Sequence, residues 1–230
     1  MSQIDFEKHI LVGVEEYVLR ARQSIPARDA IFLIARALFE NKLAESSKIL
    51  VVGAGGGEEI LSLGKPNPGW KFVGVDLSEA MLKLADTRFA QEQLQNRVEL
   101  HRTDVRNLDD KDFDAATCIL TLHFVADDGA KLAMLQAIRE RLKSEALFFL
   151  VDGAGESGKP EFQENVAAWK RHAQNNGMPV EMVEKMVENT MNLPLVTEER
   201  EIELLREAGF ADVRKVYQGI HVHGWLSVCK

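Results

Sequence analysis

The chain has 230 residues, 46% of them hydrophobic, which suits one large α/β domain with an appendage and excludes two full domains. A formal net charge of -8 gives no broad electrostatic hold on nucleic acid, so direct nucleic-acid binding is not expected and small-molecule partners are. No run approaches the roughly 18 consecutive apolar residues of a membrane span.

Asp5, Glu7 and Lys8 interrupt the start of the chain, so no signal peptide is expected there. Cys118 and Cys229 both lie in apolar runs and read as reduced, buried thiols of a cytoplasmic protein.

In chain order, residues 5–22 and 26–42 read as helices, the second with Ile31, Ile34, Ala35, Leu38 and Phe39 on one face and Pro26 in its first turn. Strands and helices then alternate: strand 48–53, helix 57–64, strand 71–76, helix 78–95, strands 97–102 and 113–121, helix 128–142, strand 146–152. Such alternation predicts a parallel sheet. The rhythm breaks at Gly153-Ala154-Gly155-Glu156-Ser157-Gly158-Lys159-Pro160, after which 161–176 and 179–191 read as helices of an insertion. Helix 197–208 and an antiparallel pair near 211–217 and 220–229 close the chain.

The most informative stretch is Ile49-Leu50-Val51-Val52-Gly53-Ala54-Gly55-Gly56-Gly57-Glu58, an apolar strand ending in a glycine turn that opens a helix. Glycine permits positive φ and leaves no Cβ in the way, so backbone approaches a ligand there. The spacing is G-x-G-x-G, whereas a dinucleotide fingerprint places a third glycine where Glu58 stands. A carboxylate beside a pyrophosphate repels it, which favours a cationic ligand over a nicotinamide dinucleotide. Asp76 ends the second strand, Asp104 follows the third, and His123 follows the fourth. With Gly53, these four positions fall where open α/β sheets bind ligands, beyond the carboxyl ends of the strands.

Taken together these segments resemble the class I S-adenosylmethionine (SAM) dependent methyltransferases. The resemblance implies a doubly wound α/β fold with seven mostly parallel strands, the last antiparallel, and SAM as cofactor. The helical cap comes from residues 1–45 and 153–196. It implies that Gly53, Ala54 and Gly55 admit the donor, that Asp76 accepts the ribose diol, and that Asp104 takes the adenine amino group beside the Val105 backbone. Leu77, Met81 and Ile119 complete the expected donor contacts. The bland alternatives are a helix cap for Asp76 and a turn residue for Asp104. Many members carry an acid two residues before the first glycine, where it meets the methionine ammonium. This chain has Val51 there, and Glu58 is the expected substitute, unless it serves only to compensate the helix dipole. His123 would face the methyl group as the catalytic residue, its alternative role being structural.

Several segments are similar, more narrowly, to the carboxy-SAM synthase family: Ser24-Ile25-Pro26, Leu122-His123-Phe124, Trp169-Lys170-Arg171, Glu188-Asn189 and Leu205-Arg206-Glu207-Ala208-Gly209-Phe210. By that resemblance Arg28 replaces a tyrosine near the donor's carboxylate, Ile119 replaces an asparagine, and no arginine stands near Lys185-Met186 to grip an extra carboxylate. Trp169, Arg171 and His172 are the expected substrate-facing lid residues. Met178, Met182 and Met186 read as core, lid or subunit contact, and a homodimer is left open. His221 and His223 alternate on the last strand without a third ligand, so no metal is expected. The resulting expectation is methyl transfer from SAM to a small molecule. Its rivals are carboxy-SAM synthesis for tRNA modification, an NAD-dependent oxidoreductase and a donor-binding protein without catalysis.

Overall fold

The computed structural model describes residues 14–230, so the first part of the helix expected over 5–22 lies outside the described residues. Helices α1 (Val14–Ser24) and α2 (Arg28–Glu40) precede β1 (Lys48–Val52), α3 (Glu58–Gly64), β2 (Lys71–Asp76), α4 (Glu79–Gln91) and β3 (Val98–Arg102). There follow β4 (Phe113–Ile119), α5 (Ala130–Arg139), β5 (Leu142–Gly153), α6 (Pro160–Asn175), α7 (Val180–Met191), α8 (Glu198–Glu207), β6 (Phe210–Gly219) and β7 (Val222–Cys229).

The strands form one seven-stranded sheet in the order β3-β2-β1-β4-β5-β7-β6. Only β7 is reversed: it pairs antiparallel with both β5 and β6, while the remaining pairs are parallel. Side-chain alternation divides the core between the two faces. Ile49 and Val51 of β1 pack with Ile31, Phe39, Ile60 and Phe89 of α2, α3 and α4. Leu50 and Val52 pack on the other face with Leu135 and Ile138 of α5 and Leu204 and Leu205 of α8. Strand order reverses between β1 and β4, and that crevice is where a doubly wound sheet receives its ligand.

Local departures from the expected boundaries have physical causes. Ala27 adopts φ 52°, so α2 starts after it and Pro26 lies outside the helix, its carbonyl accepting the Tyr217 hydroxyl at 2.5 Å. Leu120 adopts φ 55° and ends β4 two residues early, turning the chain into a 3-10 segment over Leu122–Phe124.

The insertion closes on itself. Ala154 bridges Val196, and the Gly155 N–H donates to the Val196 carbonyl at 2.8 Å. Within it Ala173, Met178 and Val183 are buried together with Met182 and Met186 against them, so the methionine stripe is the core of the α6–α7 hairpin. Trp169 fastens this hairpin to the body through an indole N–H that donates to the Ser24 carbonyl at 2.7 Å. Cys118 and Cys229 are free and buried, and no helix among the described residues is long and apolar enough to cross a membrane.

Candidate active site

The glycine turn is tied to the tip of β2. Gly53 and Ala54 donate their N–H groups to the Val75 carbonyl at 2.9 and 3.0 Å. The Asp76 carboxylate then accepts from Gly55 N–H and Ser78 N–H, both at 2.8 Å. Burial raises the Asp76 pKa, opposed by those two N–H groups and by that of Leu77. Ser78, whose Oγ accepts from Met81 N–H, caps α4, so Asp76 is left to organise the turn and keeps lone pairs for a ligand.

Gly53, Gly55 and Gly57 all have positive φ, at 76°, 49° and 80°, but for different neighbours. A Cβ on Gly53 would lie 1.9 Å from Thr121 Oγ1, and one on Gly57 would lie 2.6 Å from the Phe89 ring. At Gly55 the nearest atom would be Met81 Cε at 3.4 Å. Gly53 and Gly57 therefore serve packing, and Gly55 is the position that keeps backbone open toward the cleft. Beside it Leu77 is 39% exposed, an apolar surface next to a carboxylate, as a nucleoside requires.

Asp104 caps the short turn Val105–Asn107 and is held by Arg106, with Nε on Oδ1 at 2.8 Å and Nη2 on Oδ2 at 2.6 Å. That guanidinium lowers the carboxyl pKa. The turn reading of Asp104 is thus part of its role, and an adenine amino group would have to share Oδ2 with Arg106. Val105 is buried in the core, and Arg141 secures the same turn by donating to the Arg106 carbonyl at 3.2 Å and to that of Leu108.

At the other end of the glycine turn, Arg28 and Glu58, each expected to contact the donor, meet each other: Arg28 Nη1 lies 2.7 Å from Glu58 Oε2. Arg22 approaches the second oxygen at 3.3 Å, and Arg28 also stacks over the Phe32 ring. The next residue, Glu59, is only 5% exposed, with Oε1 lacking a hydrogen bond. Desolvation pushes its pKa up to about 7, against the opposing pull of the Thr117 hydroxyl and of Arg28.

At the tips of β4 and β5 the His123 ring lies against Phe124, and its Nδ1 sits 2.5 Å from Oδ1 of Asp152, a fully buried carboxylate. Behind this pair Lys131, also fully buried, donates to the Leu122 carbonyl at 3.0 Å and lies 3.6 Å from Glu201 Oε1. Burial, reinforced by the Asp152 charge, raises the Glu201 pKa.

A methyltransferase-domain family model matches residues 50–148, which run from within β1 into β5. The carboxy-S-adenosyl-L-methionine synthase of Campylobacter hominis is 22% identical over 94% of this chain and 91% of its own length. A SAM-dependent methyltransferase from Aquifex aeolicus superposes with a TM-score of 0.61 at 20% identity, covering 92% of this chain and 97% of that one. Residues 50–148 thus resemble a methyltransferase domain, and the chain has the class I methyltransferase fold. Mitomycin 7-O-methyltransferase MmcR shares that fold, with a TM-score of 0.65 at 16% identity over 88% of this chain. The chain spans 53% of MmcR, about half the length of several structures it matches.

The unpartnered Arg28 Nε and Glu59 Oε1, the open backbone at Gly55 and the spare acceptor capacity of Asp76 fit SAM, whose sulfonium and amino acid are charged. The other residues expected to contact donor or substrate have the following places. Ile119 is core, and Met81 is buried under the glycine turn. Trp169 is buried with its ring edge-on to His221 at 4.6 Å, whereas Arg171 points to solvent and His172 is half-buried beside Asn176. Burial, together with the neighbouring His223 and His123, pushes His221 down to about 4, which keeps it neutral beside the Trp169 ring. His223 instead faces Glu198 at 3.2 Å.

Glu59 and Asp152 are the residues that sequence reasoning passed over. The available signal for Glu59 was its spacing four residues before Leu63, on the buried face of α3. A carboxyl whose folded pKa rises from 4.5 to about 7 lowers stability as pH increases through that window, because the unfolded chain ionises first. Below pH 4.5 both states are protonated and the penalty vanishes. Glu59→Gln is therefore expected to stabilise the fold at pH 8 by up to about 3 kcal/mol, the gain fading toward pH 4.5 in urea titrations.

Proposed function

We propose that this protein is a SAM-dependent methyltransferase that methylates an oxygen or nitrogen of a small-molecule acceptor, with His123 removing the acceptor's proton. The supporting observation is the 2.5 Å contact between His123 Nδ1 and buried Asp152. A carboxylate on Nδ1 fixes the tautomer in which Nε2 carries the free lone pair, and it stabilises the imidazolium that forms when Nε2 accepts a proton. SAM supplies a methyl group activated on a sulfonium. Asp76 holds the ribose end, Arg28 holds the carboxylate, and the α6–α7 hairpin pinned by Trp169 keeps water from the acceptor. Two fold relatives favour small acceptors: MmcR, named for mitomycin, and an O-methyltransferase family 2 protein of Planctomyces limnophilus determined with apigenin, at 15% identity and a TM-score of 0.60 over 93% of this chain.

Asp76→Ala should raise the dissociation constant for SAM about 10- to 100-fold in calorimetric titration, the equivalent of losing hydrogen bonds to a charged acceptor. Tight NADH binding with no SAM binding would reverse the assignment. A panel of phenols, catechols and amines, followed by release of S-adenosylhomocysteine, identifies the acceptor. The likeness to carboxy-SAM synthase supports a second reading. Lys185 on α7 is exposed and stands where that reading calls for an arginine. Mass spectrometry of nucleosides carried through purification separates the two, since carboxy-SAM is heavier than SAM by one carboxylate.

A further inference from the structure

We infer that Glu59, with the Thr117 hydroxyl and the Arg28 guanidinium, forms the receptor for the amino acid end of the donor, and that Glu59 takes its ammonium. This rests on the donor assignment above and names a residue that neither the motif nor Glu58 supplies. Glu58 is already engaged by Arg22 and Arg28 at the mouth of the site. Glu59 projects inward instead.

Its position follows from the register. Val51 of β1 pairs with Thr117 of β4 across the point where strand order reverses, and Val51 faces the α2–α3 side of the sheet. By strand alternation between Ala115 and Ile119, both in that same core cluster, Thr117 faces the same side. The Glu59 carboxylate meets this row from α3, where the Thr117 hydroxyl faces it without closing a hydrogen bond of normal geometry. An acid carried on the helix thus reaches the place beside Val51 that an acid on β1 would fill.

Three buried atoms of these side chains lack hydrogen-bond partners, Glu59 Oε1, Thr117 Oγ1 and Arg28 Nε, while Arg28 Nη1 is paired with Glu58. Thr117 is fully buried and Glu59 nearly so. Leaving buried polar groups unmatched is unfavourable, and several facing one another require a partner carrying the inverse pattern. An α-amino acid zwitterion has that pattern: three N–H donors for the carboxylate and hydroxyl, and two carboxylate oxygens for a guanidinium.

The test compares SAM with 5′-methylthioadenosine, which keeps the adenosyl thioether and lacks the amino acid, by titration calorimetry against the whole chain. Glu59→Gln preserves shape, removes the charge and is expected to fold. It should weaken SAM about 10- to 100-fold and leave methylthioadenosine within about twofold. Should the glutamine variant be insoluble, Glu59→Asp, which withdraws the charge by one methylene, is judged by the same ligand pair. Unchanged SAM affinity, or equal losses for both ligands, overturns the inference while the donor assignment stands. Failure of the unaltered protein to bind SAM overturns both.

Discussion

Asp152→Asn should slow methyl transfer by about 100-fold or more while leaving SAM affinity within about twofold, since general-base catalysis typically contributes 10²- to 10⁴-fold. Asp152 is fully buried, and its Oδ1 lies 2.5 Å from His123 Nδ1. An amide of the same shape keeps the packing and removes the charge that favours the imidazolium. It also lets an N–H face Nδ1, which inverts the tautomer and turns Nε2 from acceptor to donor. A purely structural Asp152 would lose stability and disturb SAM affinity, KM and kcat together. A positioning Asp152 predicts a loss confined to kcat, with KM and SAM affinity retained. His123→Ala should cost a similar factor, and the double variant no more than the larger single loss, as for groups that act as one unit. Additive losses, or a loss that appears in KM rather than kcat, would remove His123 from the chemistry.

The strand sequence of this site was legible because it depends on period and punctuation. Apolar runs ending in Gly53, Asp76, Asp104 and His123 announce a parallel sheet with its ligand side at one edge, and the sheet places them at its strand tips. The side-chain pairings were not legible, because they join residues distant in sequence. Arg28 and Glu58 each had a reason to touch the donor, yet whether they would also touch one another depends on how α2 docks on α3. Asp152 reads as the end of a buried strand, and only the pairing of β4 with β5 brings it to His123. Glu59 follows a glutamate that had already claimed attention, and in an apolar helix face its neighbours Ile60 and Leu63 give no hint of a buried charge. Trp169 and Arg171 stood together as lid residues by proximity in sequence. On a helix, residues two apart point to different sides, so one is packed against His221 and the other is in solvent.

The glycines illustrate the same limit at atomic scale, and they separate by experiment. Gly53→Ala should destabilise the fold by about 2–5 kcal/mol, combining about 1–2 kcal/mol for a side chain in the left-handed region with about 1–3 kcal/mol of overpacking. Its φ is 76°, and the new Cβ would lie 1.9 Å from Thr121 Oγ1, 2.9 Å from Cβ and 3.0 Å from Cγ2. Thr121 sits just past β4, so the clash would push apart the two chain turns that flank the crevice. Thr121→Ala removes two of those three atoms and should recover about 1–2 kcal/mol of the loss, a coupling that a double-mutant cycle in urea measures directly. Gly55→Ala has the opposite profile. Its Cβ meets nothing closer than 3.4 Å, so only the φ of 49° opposes it and stability should fall by about 1 kcal/mol. The same Cβ enters the side of the turn that faces the donor, so SAM affinity should fall more at Gly55 than stability does. Equal stability losses at both positions, with no coupling to Thr121, would show that the turn tolerates side chains alike and that its open edge is not the one assigned to the donor.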